Sequence, residues 1–348
     1  MQASPAPTGR IGGSATAWLR VPRFSAIWVA TALLFAISPL LARGSVSHSA
    51  LLSMLPFAAI LAIASIGQTL VVQQRGLDLS VPGVITLATI IVTKVADGHD
   101  GRLPEAIALV ALAAVVAGLV SGIAITWFGI TPLVATLGVN ALLQGVVFQI
   151  TSGSSTAAAT PGLARFALAK TAGVPNTVIL AAVGIAIAAL VIRTTIAGRR
   201  FVATGASPAA ARAAGIRVRR YELATYVLAG LFYGAAGVLV AGFLGTPGIG
   251  AGNDYLLPTI AAVVLGGTSL AGGVGSVVAT AGGALFLTQL QQVVLGMGAP
   301  SSVQFVIQGS IIAVGMGLRN VPWARVRAFA ASRATGPGDR LARGTAEP

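Results

Sequence analysis

The sequence predicts an all-α fold: a polytopic transmembrane helical bundle of about ten spans, with N- and C-termini cytoplasmic. Three observations predict it. The chain of 348 residues is 55% hydrophobic and only 9% charged, whereas a soluble domain carries roughly a quarter charged residues. Its mean hydropathy is +0.89. Its 44 glycines against 6% aromatics suit helices that approach closely, since association in lipid is driven by packing.

Crossing a hydrocarbon core takes roughly 20 apolar helical residues. Ten segments qualify in turn: 26–42, 51–72, 83–96, 105–125, 132–151, 177–195, 222–244, 255–271, 275–296 and 303–319. The first follows a basic leader holding Arg10, Arg20 and Arg23. That leader is long for a secretory signal, so this span reads as a retained anchor. The third is short, and Gly or Pro interrupts others. Residues 1–24 and 322–348 lack apolar periodicity and read as cytoplasmic tails, the second Arg-rich, flanking a transmembrane domain over 25–321.

Orientation follows from the cations. With the N-terminus inside, the inner segments carry Arg75, Arg199, Arg200, Arg212, Arg217, Arg219 and Arg220 as well as both tails. The outer ones keep Arg43, Lys94, Arg102, Arg165 and Lys170. This is the positive-inside bias, and it accounts for the net charge of +14 without nucleic acid, for which no basic face with interleaved aromatics exists.

The inner loop 196–221 breaks the apolar pattern. Ser207 is a favoured N-cap, Pro208 suits the first helical position, and Ala209, Ala210 and Arg212 favour helix. Gly215 suits a left-handed exit before Ile216. The signals agree on a two-turn helix. So short a helix needs a surface to rest on, either this chain's own membrane domain or a docking partner.

The run from Gly198 to Val321 resembles the permeases of bacterial ribose-type (monosaccharide) ABC importers. Ala209, Ala210, Gly215 and Ile216 match that family's coupling-helix pattern, while Ser207 and Pro208 replace its usual Asn and Glu. The string Ile260 to Gly275, with Gly266, Gly267, Gly272, Gly273 and Gly275, is nearly its most characteristic element. Gly76-Leu77-Asp78-Leu79-Ser80-Val81 and Thr136-Leu137-Gly138 look like two more, and the resemblance spans about 50–321. It implies a small-sugar importer subunit working by alternating access in the bacterial inner membrane. Its implied partners are a second permease copy, identical or related, a cytoplasmic ATPase holding ATP and Mg, and an extracytoplasmic sugar-binding protein. The ATPase would dock at Ser207–Gly215.

The glycines at 266, 267, 272, 273 and 275 permit either a tight hairpin with close packing or a flexible gate lining a cavity. Asp78 and Asp254 map near span ends, as helix caps or substrate contacts. Gln68, Asn140, Gln144, Gln304 and Gln308 are amides inside spans. Two pairs share a face by their spacing of four. Such amides bond between helices or offer a sugar both donors and acceptors.

Absences bear on the energy source. With no Cys and only two His, His48 and His99, neither thiol nucleophile nor metal site is expected. The two lysines, Lys94 and Lys170, stand in no phosphate-binding loop. No catalytic residue, cofactor or metal is expected in this chain. The rival readings are an ion-coupled carrier, which would need carboxylates deep in the bundle, a passive channel, and an ABC permease for branched-chain amino acids, nucleosides or another small polar solute.

Overall fold

The computed structural model describes residues 24–154 and 157–320; apart from Phe24, both predicted tails lie outside them. The described residues form thirteen α-helices, two single-turn 3-10 helices (Asp100–Arg102 and Asn253–Tyr255) and one hairpin of two-residue strands. In chain order the first five helices are α1 (Ala26–Leu41), α2 (His48–Gln73), α3 (Val81–Ala96), α4 (Leu103–Thr126) and α5 (Pro132–Thr151). Then come α6 (Pro161–Leu168), α7 (Asn176–Thr194), α8 (Ile196–Ala206) and α9 (Pro208–Ala213). The chain closes with α10 (Val218–Leu244), α11 (Leu256–Leu265), α12 (Val277–Gly296) and α13 (Ser301–Asn320). Each of the ten predicted apolar segments contains one helix. Six of those helices are long and apolar enough to cross a membrane: α2, α4, α5, α7, α10 and α12.

α10 is the hub, packing against α4, α2 and α3. Small residues let it do so: a Cβ on Gly230 would sit 2.5 Å from the Ala114 carbonyl oxygen, so that crossing admits only glycine. Around it Ile60, Val81, Ile85, Ala229 and Tyr233 form the largest buried cluster. The periphery is apolar and open. Leu33 is 57% exposed, Leu142 66% and Leu190 62%, surface that lipid would cover and water would not.

Three helices in the predicted spans, α1, α3 and α11, are too short to cross about 30 Å of hydrocarbon at 1.5 Å per residue. The span predicted over 255–271 is helical only to Leu265, because Gly266 and Gly267 turn the chain and its N–H groups fold back onto Ala262 and Val263–Val264 carbonyls. α3 has only 16 residues and follows a non-helical stretch, 74–80. Irregular backbone survives at membrane depth only where protein surrounds it or a cavity is lined, and Asp78 and Ser80 in one stretch and Thr268 in the other are buried against the bundle.

The connections hold more structure than the sequence reading anticipated. Between α5 and α7 lies α6, whose cap Thr160 accepts from the Leu163 N–H at 3.2 Å. A hairpin pairing Lys170 with Pro175 follows it. The loop 196–221 holds two helices rather than one. α8 opens where Thr195 Oγ1 accepts from Gly198 N–H at 3.0 Å.

Candidate functional site

The short helix α9 is built from local chemistry. Ser207 ends α8 and starts α9, its hydroxyl accepting from the Ala210 N–H at 3.3 Å, with Pro208 at the first position. At the other end Gly215 takes φ +77°. Gly215 N–H donates to Arg212 O and Ile216 N–H to Ala211 O, both at 2.9 Å. This double closure satisfies the last carbonyls and stops the helix. Ala209, Ala210 and Arg212 are exposed while Ala211 is buried, so α9 turns one face to the bundle and another outward.

Three sequence elements meet behind α9. The Arg75 guanidinium donates to the Gly205 carbonyl at 2.9 Å and to the Ala206 carbonyl. Gln74 Nε2 donates to Phe201 O at 2.8 Å. The Gly273 N–H donates to Gln73 O at 2.8 Å. So the end of α2, the end of α8 and the glycine-rich turn before α12 form one joint. Gly272 and Gly273 fit it in two ways. Both have positive φ, and a Cβ on either would come within 2.5 Å of the α8 end. Gly275 lies against the Gln73 side chain and Gly266 against Thr280.

A buried polar core adjoins this joint. The sequence places Asp78 near a span end, yet the stretch 74–80 folds into the bundle and leaves Asp78 only 2% exposed. Its carboxylate accepts from Ser80 N–H at 2.8 Å and Ser80 Oγ at 2.6 Å. That pattern holds the turn into α3. Asn140 Oδ1 accepts from the Gly83 N–H at 2.8 Å, and Thr136 Oγ1 from the Leu79 N–H at 2.9 Å; both tie α5 to the start of α3. Gln68 Oε1 accepts from Tyr233 Oη at 3.0 Å. These groups hold helices together.

At the opposite ends of α2 and α12 the bundle opens into a cavity of about 180 Å³ lined by Asp254, Gln291, Gln308, Thr288, Tyr255 and Phe57 among others. Phe57, Thr288 and Gln291 also border a second chamber of about 370 Å³, which Ser53 and Gln292 help to line. Gln308 is 2% exposed and its Oε1 lacks a hydrogen-bond partner among the described residues. A buried amide oxygen without a partner, in a cavity wall, is available to a solute hydroxyl.

Asp254 and Gln308 are thus brought together, from 54 residues apart. Gln68 and Asn140 lie elsewhere with protein partners, and neither half-buried Gln144 nor half-buried Gln304 lines the cavity. The sequence reading missed Arg75 as a joint residue and the rings at Phe57, Tyr233 and Tyr255. A signal for the tyrosines existed: the chain has only four, and a Tyr in an apolar span needs a partner for its hydroxyl.

Comparison with known proteins gives the family. A family model described as branched-chain amino acid transport system / permease component matches residues 50–315. The ribose import permease protein RbsC of Escherichia coli K12 is 32% identical over 288 residues, covering 82% of this chain and 89% of that protein. The galactose/methyl galactoside import permease protein MglC of Haemophilus influenzae is 30% identical over 269 residues, 72% of this chain and 80% of that one. The autoinducer 2 import system permease protein LsrC of E. coli K12 / DH10B is 29% identical over 284 residues, 82% and 83% of the two chains. No solved structure matches. With the matched region running through the joint, the polar core and the cavity, the chain belongs to this family of ABC import permeases and is a multi-pass inner-membrane protein.

Proposed function

We propose that the chain forms the translocation pathway of an ATP-binding-cassette importer for a small sugar of the pentose or hexose class, working by alternating access. In this reading α1–α5, α7 and α10–α13 supply ten spans with both termini inside, the short α1, α3 and α11 crossing together with the stretches of chain beside them. Two permease copies, identical or related, assemble in the lipid. A cytoplasmic ATPase docks on Ser207–Ile216 and holds the ATP and Mg. An extracytoplasmic sugar-binding protein delivers substrate to the cavity that Asp254 and Gln308 help to line.

One observation carries the proposal: α2 and α12 each run from the joint behind α9 to the wall of the polar cavity. A push on α9 passes through Gly205, Ala206 and Gly273 into packed helices, and rigid elements of this kind carry coupling between sites. The sugar class is supported by relatives named for ribose and galactose. It is also supported by a lining of amides, a carboxylate and aromatic rings, which suits hydroxyl groups and sugar faces.

The test is uptake into proteoliposomes by the chain assembled with its ATPase and binding protein. ATP-dependent accumulation of labelled ribose or galactose, competed by neither leucine nor a nucleoside, is the expected result. Accumulation of leucine instead would overturn the sugar class.

Buried Asp78 favours a second reading, ion-coupled transport, because deep carboxylates commonly serve proton relays. Its bonds to Ser80 give it a structural task instead. Uptake that survives ATPase removal, collapses with the proton gradient and loses that dependence in Asp78→Asn would establish the rival.

A further inference from the structure

Beside the α7–α8 turn lie two adjoining concavities of opposite character. One, of about 400 Å³, is lined by Arg200, Arg217, Arg220, Tyr221 and the segment Ala214-Gly215-Ile216. The other, of about 290 Å³, runs between α7, α8 and α10 and is almost wholly apolar, with Leu70, Ile187, Val191, Phe201, Leu228 and Phe232 in its wall. Tyr221 borders both. Ile187, Val191 and Leu228 are 57%, 44% and 47% exposed, so the groove is open along the flank that faces lipid.

The charge here is one-sided. Residues 193–222 contain seven arginines and a single acid, Glu222. Arg200, Arg217 and Arg220 are exposed, and none forms an ion pair among the described residues. Three guanidinium groups held together repel one another, and an anion among them removes that cost through charge-assisted hydrogen bonds. A guanidinium also matches phosphate geometry better than an ammonium does. A half-buried tyrosine between a cationic pocket and an apolar groove is the pattern of a side chain at headgroup level.

We infer that this composite is a binding site for one anionic phospholipid, its phosphate in the Arg200–Arg217–Arg220 pocket and one acyl chain along the groove of α7, α8 and α10. Charge complementarity selects the headgroup, and the groove selects a lipid over a free anion or an acidic protein side chain, neither of which would use it. Basic pockets between membrane helices recognise headgroups in this way. Because the pocket includes Gly215 and Ile216, the bound lipid braces the exit of α9. Lipid therefore conditions the loop on which the proposed ATPase would act, but the site exists in the permease alone.

The experiment uses the full purified chain without any partner. Delipidated protein is titrated with phosphatidylglycerol or phosphatidylcholine in detergent, and bound lipid is counted by native mass spectrometry alongside the thermal midpoint. One phosphatidylglycerol per chain should be retained, with an apparent Kd on the order of tenfold below that of phosphatidylcholine. R200Q/R217Q/R220Q should abolish the preference while leaving the weaker phosphatidylcholine binding. A224W, which fills the groove from its exposed side, should weaken both lipids. R43Q/R102Q, at sites far along the chain, should change nothing. Should the triple variant fail to fold, R220Q alone should show a partial loss of preference. Equal retention of both lipids, an unchanged preference in the arginine variants, or an equal stabilising shift from glycerol 1-phosphate at matched concentration would each overturn the assignment. The last result would indicate a plain anion site. Binding of an acidic peptide in place of lipid would overturn it too.

Discussion

Arg75 Nε lies 2.9 Å from the Gly205 carbonyl oxygen, which fastens the end of α2 to the end of α8, two residues before the cap of α9. A cation at a helix C-terminus meets the orphan carbonyls and the negative end of the helix dipole together. Arg75 holds this place at φ 67°, a conformation unfavourable for a residue with a Cβ.

That conformation makes glycine the informative replacement. Arg75→Gly relaxes the backbone while removing the clamp, so chain levels in the membrane should stay near wild type. Hydrogen bonds from charged groups are worth about 1.5–3 kcal/mol, so ATP-driven uptake should fall on the order of tenfold or more. Quantitative immunoblotting of membranes beside initial uptake rates checks both halves. Unchanged uptake would show that the joint can close without Arg75.

Gly272→Ala and Gly273→Ala each add a Cβ in a left-handed conformation, within 2.5 Å of the α8 end or Arg75. Conformational strain alone costs about 1–3 kcal/mol. Uptake per folded molecule should drop by more than the amount of folded protein. Parallel losses, read by fluorescence-detected size exclusion, would assign these glycines to packing alone.

Gln308→Ala removes an amide from the cavity wall, and Asp254→Asn exchanges a carboxylate there for a neutral amide of the same size. Gln308→Ala should raise the substrate concentration for half-maximal uptake by roughly three- to tenfold, since one neutral hydrogen bond is worth about 0.5–1.5 kcal/mol, and Asp254→Asn by about tenfold or more, since a bond to a charged group is worth about 1.5–3 kcal/mol; both should keep a near-normal thermal midpoint. A shift in stability with no change in uptake would exclude a substrate contact.

Asn140→Ala should do the reverse. It strands the Gly83 N–H at the start of α3, and a buried donor left unpaired costs about 1–3 kcal/mol. The thermal midpoint should fall, and the concentration for half-maximal uptake should hold.

Asp100 offers a pH test. Hydrogen bonds from Thr160 and from the Gly162 N–H, with Arg165 nearby, hold its carboxyl below the ordinary 3.8. A carboxyl depressed on folding stabilises the fold above its unfolded value, and that contribution disappears as pH falls through the folded value. The protection of amides over 160–168, measured relative to intrinsic exchange at each pH, should therefore fall at strongly acid pH. Asp100→Asn should show quickened exchange already at neutral pH. A pH-independent protection factor in the wild type would refute the role.

Much of this molecule was legible before any coordinate. Hydrophobicity is summed along a single segment, so each stretch from 26–42 to 303–319 announced its helix without reference to a neighbour. The α9 caps were equally local: Ser207, Pro208 and Gly215 act on backbone groups within four residues of themselves. Even the clustering of arginines in 193–222 was plain.

The surroundings of each polar side chain are set by contact between distant residues, and no periodicity encodes that. Asp78 and Asp254 looked alike in sequence. One closes a buried turn and the other faces a cavity, because the stretch after α2 folds inward while the one before α11 borders open space. Likewise Gln68 and Gln308 are both amides in apolar runs, yet only the first meets Tyr233. Burial and pairing depend on how helices cross, and those crossings depend on gaps left by glycines such as Gly230 on helices far apart in the chain. Local, additive free energies already specify the helices, their membrane residence and the caps of α9; which polar groups stay unpaired and border a cavity follows from how distant helices cross.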